Sequence, residues 1–331
     1  MGNEYIYATA RIRSQEKKLL KNEQFRIMTE TKNMDDVYKI LQDAGYGSET
    51  KTFNSENYEE ILKSAEKELF DEINELCKGN SVFKIFSYPM DYHNIKVLLK
   101  AEFLNTEKNS LLLETASIPK SAIIKAVRER DKRDLTEYMA QALDESIDAH
   151  ARTKDPQLID LICDRYCCRD MLREAEKSGN TFVIGYVKLL FDTLNVKTYF
   201  RVRKMNQPWS YFSDMFIPGG NVDLNIFISG YEEDFKQQAE RFAPYEIYDA
   251  VNYGGEAYEQ TGAFTELEKI CDNLLIRYIK GAKAVTFGIE ALVAFLVAKQ
   301  MEIKCIRILM TGKLSNMKSE VIEKRMRETY E

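Results

Sequence analysis

The side chains able to do chemistry are few and poorly placed for it. In 331 residues there are two histidines, His93 and His150, and six cysteines, at 77, 163, 167, 168, 271 and 305. A zinc site wants Cys and His converging at short spacing. No C-x-x-C pair exists; Cys163 and Cys167, four apart, fall in an apolar helical stripe, where a free thiol acts as a small hydrophobe. Nucleophilic catalysis needs a base beside Ser or Cys. His93 sits in a repeated segment whose other copies place Leu194 or Thr193 and Met301 or Gln300 there, which reads as a packing or surface residue. His150 follows Asp148 in a polar stretch and is expected to be exposed. With 53 Asp and Glu, carboxylates adjacent in sequence say nothing about acid–base pairs. No GxxxxGK[ST] loop is present. Gly219-Gly220 in "IPGGNVD" could form a phosphate nest, but reads better as a tight turn before a helix capped by Asn221 or Asp223. No catalytic residue, metal or cofactor is expected, and the chain reads as a structural part of a larger assembly rather than an enzyme.

Composition narrows the fold. Six prolines and fifteen glycines are scarce for this length. Helix interiors reject both, so scarcity favours a helical chain. Hydrophobic residues make up 44%, enough for a sizeable core, and the 30% charged residues mix both signs, as solvated helix faces do. A net charge of −6 argues against nucleic acid, whose phosphates want a basic surface. Unpaired cysteines and the lack of a signal peptide read as a reducing, cytoplasmic setting. The longest apolar run, residues 284–298, contains Glu290 and is shorter than the ~20 residues a span needs. It reads as a buried helix. The opening "MGNEYI" has Ile6 where an acylation signal wants Ser or Thr. Any membrane contact should therefore run through another protein.

The elements repeat about every hundred residues. One helix begins near Ser55, carries Ile61, Leu62, Ala65, Leu69, Ile73 and Leu76 at a 3.6-residue period, and closes at Lys78-Gly79. A second begins at Asp155-Pro156, an N-cap with proline at the first helical position, and closes at Gly179. A third begins at Thr265, with Glu268 completing a capping box, and closes at Gly281. After each comes a cationic helix: "NIK" at Asn94, "NVK" at Asn195, "EIK" at Glu302, with a further cation at Lys100, Arg201 and Arg307. In the third copy glutamate replaces asparagine and the second cation arrives one residue early. "IPKSAI" and "IPGGNV" open modules at Ile118 and Ile217, and short helical segments recur from Met34, Leu135 and Pro244. These offsets predict an all-α protein of three similar modules, residues 1–115, 116–215 and 216–331. Three like modules tend to pack about a common axis, leaving a ring or funnel.

The ordered set "YIYATARIRSQEKKLL", "DYHNIKVLLKAEF", "NVKTYFRVRKMN", "IPGGNVDL" and the ending from "FGIEALVAFLVAKQMEIKCIRILMTGKL" through "RMRETY" resembles the C subunit of the V-type and A-type rotary ATPases, known as the d subunit in the eukaryotic enzyme. The resemblance runs from residue 5 to residue 330. It implies an all-helical funnel with a pseudo-threefold axis. It also implies a non-catalytic place in the central rotor, on the cytoplasmic face of the membrane proteolipid ring. There the chain would receive the central shaft, formed by the D and F subunits, and pass torque to the ring that moves protons or sodium ions. Other readings are a helical scaffold outside any rotary enzyme and an enzyme with an unrecognised site.

If the modules surround an axis, so do their recurring cations: Lys96 and Lys100; Lys197, Arg201 and Arg203; Lys304 and Arg307. They could offer one charge sign to a shared partner, which aids orientation and encounter. Alternatively each pairs locally with a carboxylate or snorkels along its helix. Arg11 and Arg13, in the opening motif that carries the resemblance, are second candidate contacts. Reversing Arg201 and Arg203 together is the sharpest sequence-level test, because "RVRK" contains no acid.

Overall fold

The computed structural model describes residues 5–47, 53–77, 79–106 and 108–331. Gly2 and Lys78, which fall in the opening and closing motifs above, lie outside them. The described residues form α-helices with short 3-10 turns and no strand. In chain order the helices are α1 (Ile6–Glu16), α2 (Asn22–Glu30), α3 (Met34–Asp43), α4 (Tyr58–Leu76), α5 (Lys84–Phe103), α6 (Lys120–Arg128), α7 (Glu137–Thr153), α8 (Gln157–Ser178), α9 (Thr181–Lys204), α10 (Trp209–Met215), α11 (Leu224–Ile228), α12 (Phe235–Phe242), α13 (Tyr248–Thr261), α14 (Thr265–Lys280), α15 (Ile289–Leu314) and α16 (Ser319–Arg325). They fall into two compact units, one of residues 1–79, 192–206 and 221–331, the other of residues 80–191 and 207–220.

In the first unit α2, α3 and α4 close over the second half of α15. Their shared core includes Phe25, Met28, Val37, Leu41 and Leu62 against Ile306, Leu309 and Met310, all buried. Close approach of α13 to α12 depends on a missing side chain: a Cβ at Gly255 would lie 2.7 Å from that of Phe235. Phe235 in turn stacks on Phe200, with ring centroids 4.2 Å apart. In the second unit α8 packs between α5 and α7. All six cysteines are free and buried, and burial pushes the Cys163, Cys168 and Cys271 thiols up to about 12. Among the described residues no helix is long and apolar enough to cross a membrane.

The three repeat helices are α4, α8 and α14, but their starts differ from the sequence expectation. Ser55 lies before α4 in a turn that Asn54 organises, its Oδ1 accepting from the N–H groups of Glu56 and Asn57. Pro156 is the N-cap of α8, while Asp155 bonds the Gln157 N–H at 2.8 Å. The capping box at Thr265 does not form; Phe264 takes the N-cap position and Thr265 is inside the helix. Gly79 and Gly179 adopt positive φ of 74° and 64°. Gly281 stays right-handed at φ −56°, because the chain tightens there into a 3-10 turn rather than reversing. Gly219 does sit in a turn with φ +97°, but Asp223 makes no side-chain cap and Asn221 bonds elsewhere. His150 is half-buried rather than exposed: its ring stacks on Phe103 at 3.8 Å, which trades water for an aromatic face.

Each long cationic helix clamps a segment leading into a repeat. On α5, Asp91 accepts from the Ser117 hydroxyl at 2.6 Å and the Ile118 N–H at 2.9 Å, and Asn94 exchanges two hydrogen bonds with the Leu113 backbone. On α9, Asp192 accepts from the Asn221 and Val222 N–H groups at 2.9 and 3.1 Å. Asp91 and Asp192 each precede the "NIK" or "NVK" asparagine by three, and each holds its "IP" segment. On α15 the substituted Glu302 reaches back to the first repeat, accepting from the Leu20 N–H and, at 2.7 Å, from the Tyr46 hydroxyl. Asp91 and Asp192 thus dock corresponding segments, and Glu302, at the asparagine position instead of the aspartate's, docks residues of the first repeat.

The Asp91 clamp is stabilised by protonation. Burial pushes its carboxyl from 3.8 up to about 6, against the opposing pull of the Ser117 and Ile118 hydrogen bonds. A raised folded pKa gives stability that is complete below the unfolded value and lost as pH rises through the folded one. Asp91→Asn keeps an acceptor for Ile118 and places a donor near Ser117. It is expected to gain about 2–3 kcal/mol at pH 7 and almost nothing at pH 4. Denaturant unfolding at both pH values checks this; an equal loss at both would contradict it.

Candidate partner interface

All nine cations singled out in the sequence have local partners. On α5, Lys96 pairs with Asp164 at 2.8 Å and Lys100 with Asp160 at 2.7 Å, both acids on α8. On α9, Lys197 pairs with Asp272 at 3.2 Å and Arg201 with Glu268 at 2.9 Å, both acids on α14. These ladders have one geometry: cations at i and i+4 meet acids at j+4 and j on an antiparallel helix. The third copy departs. Arg307 pairs with Glu59 on α4 at 3.0 Å, but the position four beyond Glu59 is Lys63, and Lys304 turns instead to Asp272 at 2.5 Å. Arg11 pairs with Glu72 at 2.7 Å. Arg13 holds Glu16 at 2.7 Å and donates to the carbonyls of Ala282 and Val285 at 2.7 and 3.1 Å, fastening α1 to the turn before α15.

Arg203 belongs to the core of its unit more than to any surface. Its guanidinium lies 4.2 Å from the Phe235 ring centroid, also faces Tyr199 and Tyr231, and donates to the Glu233 carbonyl at 2.6 Å. Reversing Arg201 and Arg203 together would therefore mix a folding defect with any binding defect. Arg203→Ala is expected to cost about 2–3 kcal/mol, from a lost charged hydrogen bond and lost ring contacts. Arg201→Ala, removing an exposed pair, should cost less than ~1 kcal/mol. Thermal unfolding of the two single variants separates them; equal shifts would contradict this assignment.

The structure brings part of the set together around Asp272. This carboxylate, 4% exposed, meets Lys197, Lys304 and the Nε of Arg327, the last at 2.8 Å. Burial pushes its carboxyl up, but the fields of Lys197 and Lys304, with hydrogen bonds from Lys304 and Arg327, outweigh that and hold it below the usual range. Beside it opens a cavity of about 620 Å³ between α14, α15 and α16. Lys304, Arg307, Arg325 and Arg327 line it, against one acid, Glu268. Arg325 and Arg327 were not singled out in the sequence. Arg327 follows α16 in a tail whose Glu328 N–H bonds Asn273 at 2.9 Å and whose Glu328 carboxylate pairs with Arg277 at 2.5 Å. Arg325 is exposed and makes no ion pair among the described residues. Lys96 and Lys100 do not join this group; they belong to the other unit. Among the described residues no cluster of three or more His, Cys, Asp or Glu could hold a metal ion.

The described residues thus form an all-α chain organised by recurring helix pairs, with ion-pair ladders between helices and a basic cavity beside Asp272. The chain belongs to the ATP synthase (C/AC39) subunit family, whose profile matches residues 8–325. It is 24% identical over 331 residues to the C subunit of the V-type sodium ATPase of Enterococcus hirae, covering 99% of each chain. It is 24% identical over 360 residues to the C subunit of the A-type ATP synthase of Methanocaldococcus jannaschii, covering 96% of this chain and 85% of that one. Against the corresponding A-type ATP synthase protein of Thermococcus kodakarensis the identity is 22% over 344 residues, covering 96% and 89%.

Proposed function

We propose that this chain is the non-catalytic central-rotor subunit of a V/A-type rotary ATPase. It links the central shaft, the D and F subunits, to the membrane proteolipid ring and transmits torque between them. Its place is peripheral, on the cytoplasmic face. The observation that carries the reading is the family match across residues 8–325, together with an Enterococcus relative of matching extent that is named as part of a V-type sodium ATPase. Supporting it are the matched clamps at Asp91 and Asp192, with Glu302 docking the first repeat from the asparagine position, which suit three modules, residues 1–115, 116–215 and 216–331, closed about a pseudo-threefold funnel axis. Within each unit, helix pairs braced by ion-pair ladders suit torque transmission, because packed cores transmit strain instead of absorbing it. Eight of the nine cations form ion pairs and Arg203 bonds a carbonyl, and these contacts brace the helices of the chain. Those at the helix ends would exchange partners only where a shaft protein offers a competing acid.

The experiment is affinity purification of the tagged chain from native membranes in mild detergent. Shaft and proteolipid-ring proteins should co-purify at near-stoichiometric yield. Recovery of neither, with the tagged chain folded and abundant, would reject the reading.

A further inference from the structure

We propose that the basic cavity between α14, α15 and α16 is a receptor for an acidic, amphipathic segment of a shaft protein. This rests on the rotary-ATPase reading above and names one contact within it. Charge is the first ground. Four cations, Lys304, Arg307, Arg325 and Arg327, line the cavity, and Lys197 and Arg201 connect to it through their pairs with Asp272 and Glu268. Glu268 is the one acid in that lining, while Asp272, Glu59 and Glu66 act on these cations from beside it. The lining by itself carries an excess of three positive charges, on a chain of net charge −6. Like charges gathered in a concave wall repel one another and focus their field outward, so the site favours an incoming anion. Shape is the second ground. A Cβ at Gly312 would lie 2.7 Å from Ile322, so the missing side chain lets α16 sit against α15 and carry Arg325 to the rim.

The chemistry of the walls selects a protein segment over a small anion. Ile308, Met317 and Ile322 line the same cavity, and Leu314 and Val321 on the helices that bound it are 41% and 40% exposed. Inorganic phosphate gains nothing from such surface. An amphipathic helix end would lay its apolar face there and direct carboxylates at Arg325 and Arg307. Bidentate arginine–carboxylate contacts are among the stronger charged hydrogen bonds available to such a pair.

The test is titration of the purified chain with purified shaft subcomplex by calorimetry, at low and high salt. Arg325→Glu is the variant, because Arg325 has no ion pair whose loss would unfold the chain; Arg325→Lys is the conservative partner. Melting curves of both should match the parent. Arg325→Glu is expected to weaken shaft binding at least about tenfold at low salt, with Arg325→Lys largely restoring it and salt narrowing the difference. Parent and Arg325→Glu binding the shaft equally would overturn this inference and leave the rotor reading standing. No binding by the parent would overturn both. Inorganic phosphate and vesicles containing about a fifth anionic lipid are the competing probes. If Arg325→Glu loses vesicle binding but keeps shaft binding, the cavity is a headgroup site and the proposal fails.

Discussion

Replacing Asp272 with alanine is expected to destabilise the protein by about 3–5 kcal/mol, because it leaves buried positive charge without compensation. Three cations converge on this carboxylate, and the Arg327 side chain among them is only 6% exposed. Lys197 and Lys304 can relax toward water; Arg327 is held by the tail, where it also donates to the Arg325 carbonyl. The loss should exceed that at any exposed pair, such as Arg201–Glu268, by several-fold. The pH dependence has a definite sign. Asp272 has a lowered folded pKa, so its stabilisation is present above the ordinary value of 3.8 and is lost as pH falls through the folded value. Acid should therefore erase the difference between parent and variant. Urea unfolding at neutral pH decides the matter: a change below about 1 kcal/mol would mean that the three cations are well solvated without their acid.

The sequence made the repeating helices legible because burial enforces periodicity. Ile61, Leu62, Leu69 and Ile73 on α4, or Ile159, Ile162, Cys163 and Cys167 on α8, must face the core whatever else surrounds them. Helix starts were less legible. Asn54, Ser55, Asp155 and Thr265 all have capping chemistry, and only backbone geometry decides which donor each side chain reaches. The environment of His150 was misread because its stacking partner, Phe103, lies on another helix, far away in the sequence.

The cations stood out by recurrence, but their partners did not. Lys96 and Asp164 are 68 positions apart, Arg307 and Glu59 248. A signal was present nonetheless. Acids spaced by four at 160 and 164, and at 268 and 272, match cations spaced by four at 96 and 100, and at 197 and 201. Antiparallel helices facing each other make such matched spacings pair. The Asp272 hub was hidden for another reason. Its third cation, Arg327, lies in a tail with no periodicity to mark it as buried.

Removal of this chain from its complex is the other change with a large expected effect, and it falls on coupling rather than on catalysis. Hydrolysis of ATP belongs to other proteins in the proposed assembly, and ion movement to the ring. A body that joins shaft to ring carries every turn between them, so its loss should separate the two activities completely. The measurement compares vesicles carrying the complete complex with vesicles carrying a complex assembled without this chain, recording ATP hydrolysis and ATP-driven ion uptake in the same sample. Hydrolysis should persist at a comparable rate while uptake falls to background, and adding back the purified chain should restore uptake. Undiminished ATP-driven uptake in complexes shown to lack the chain would contradict its role as the link between shaft and ring.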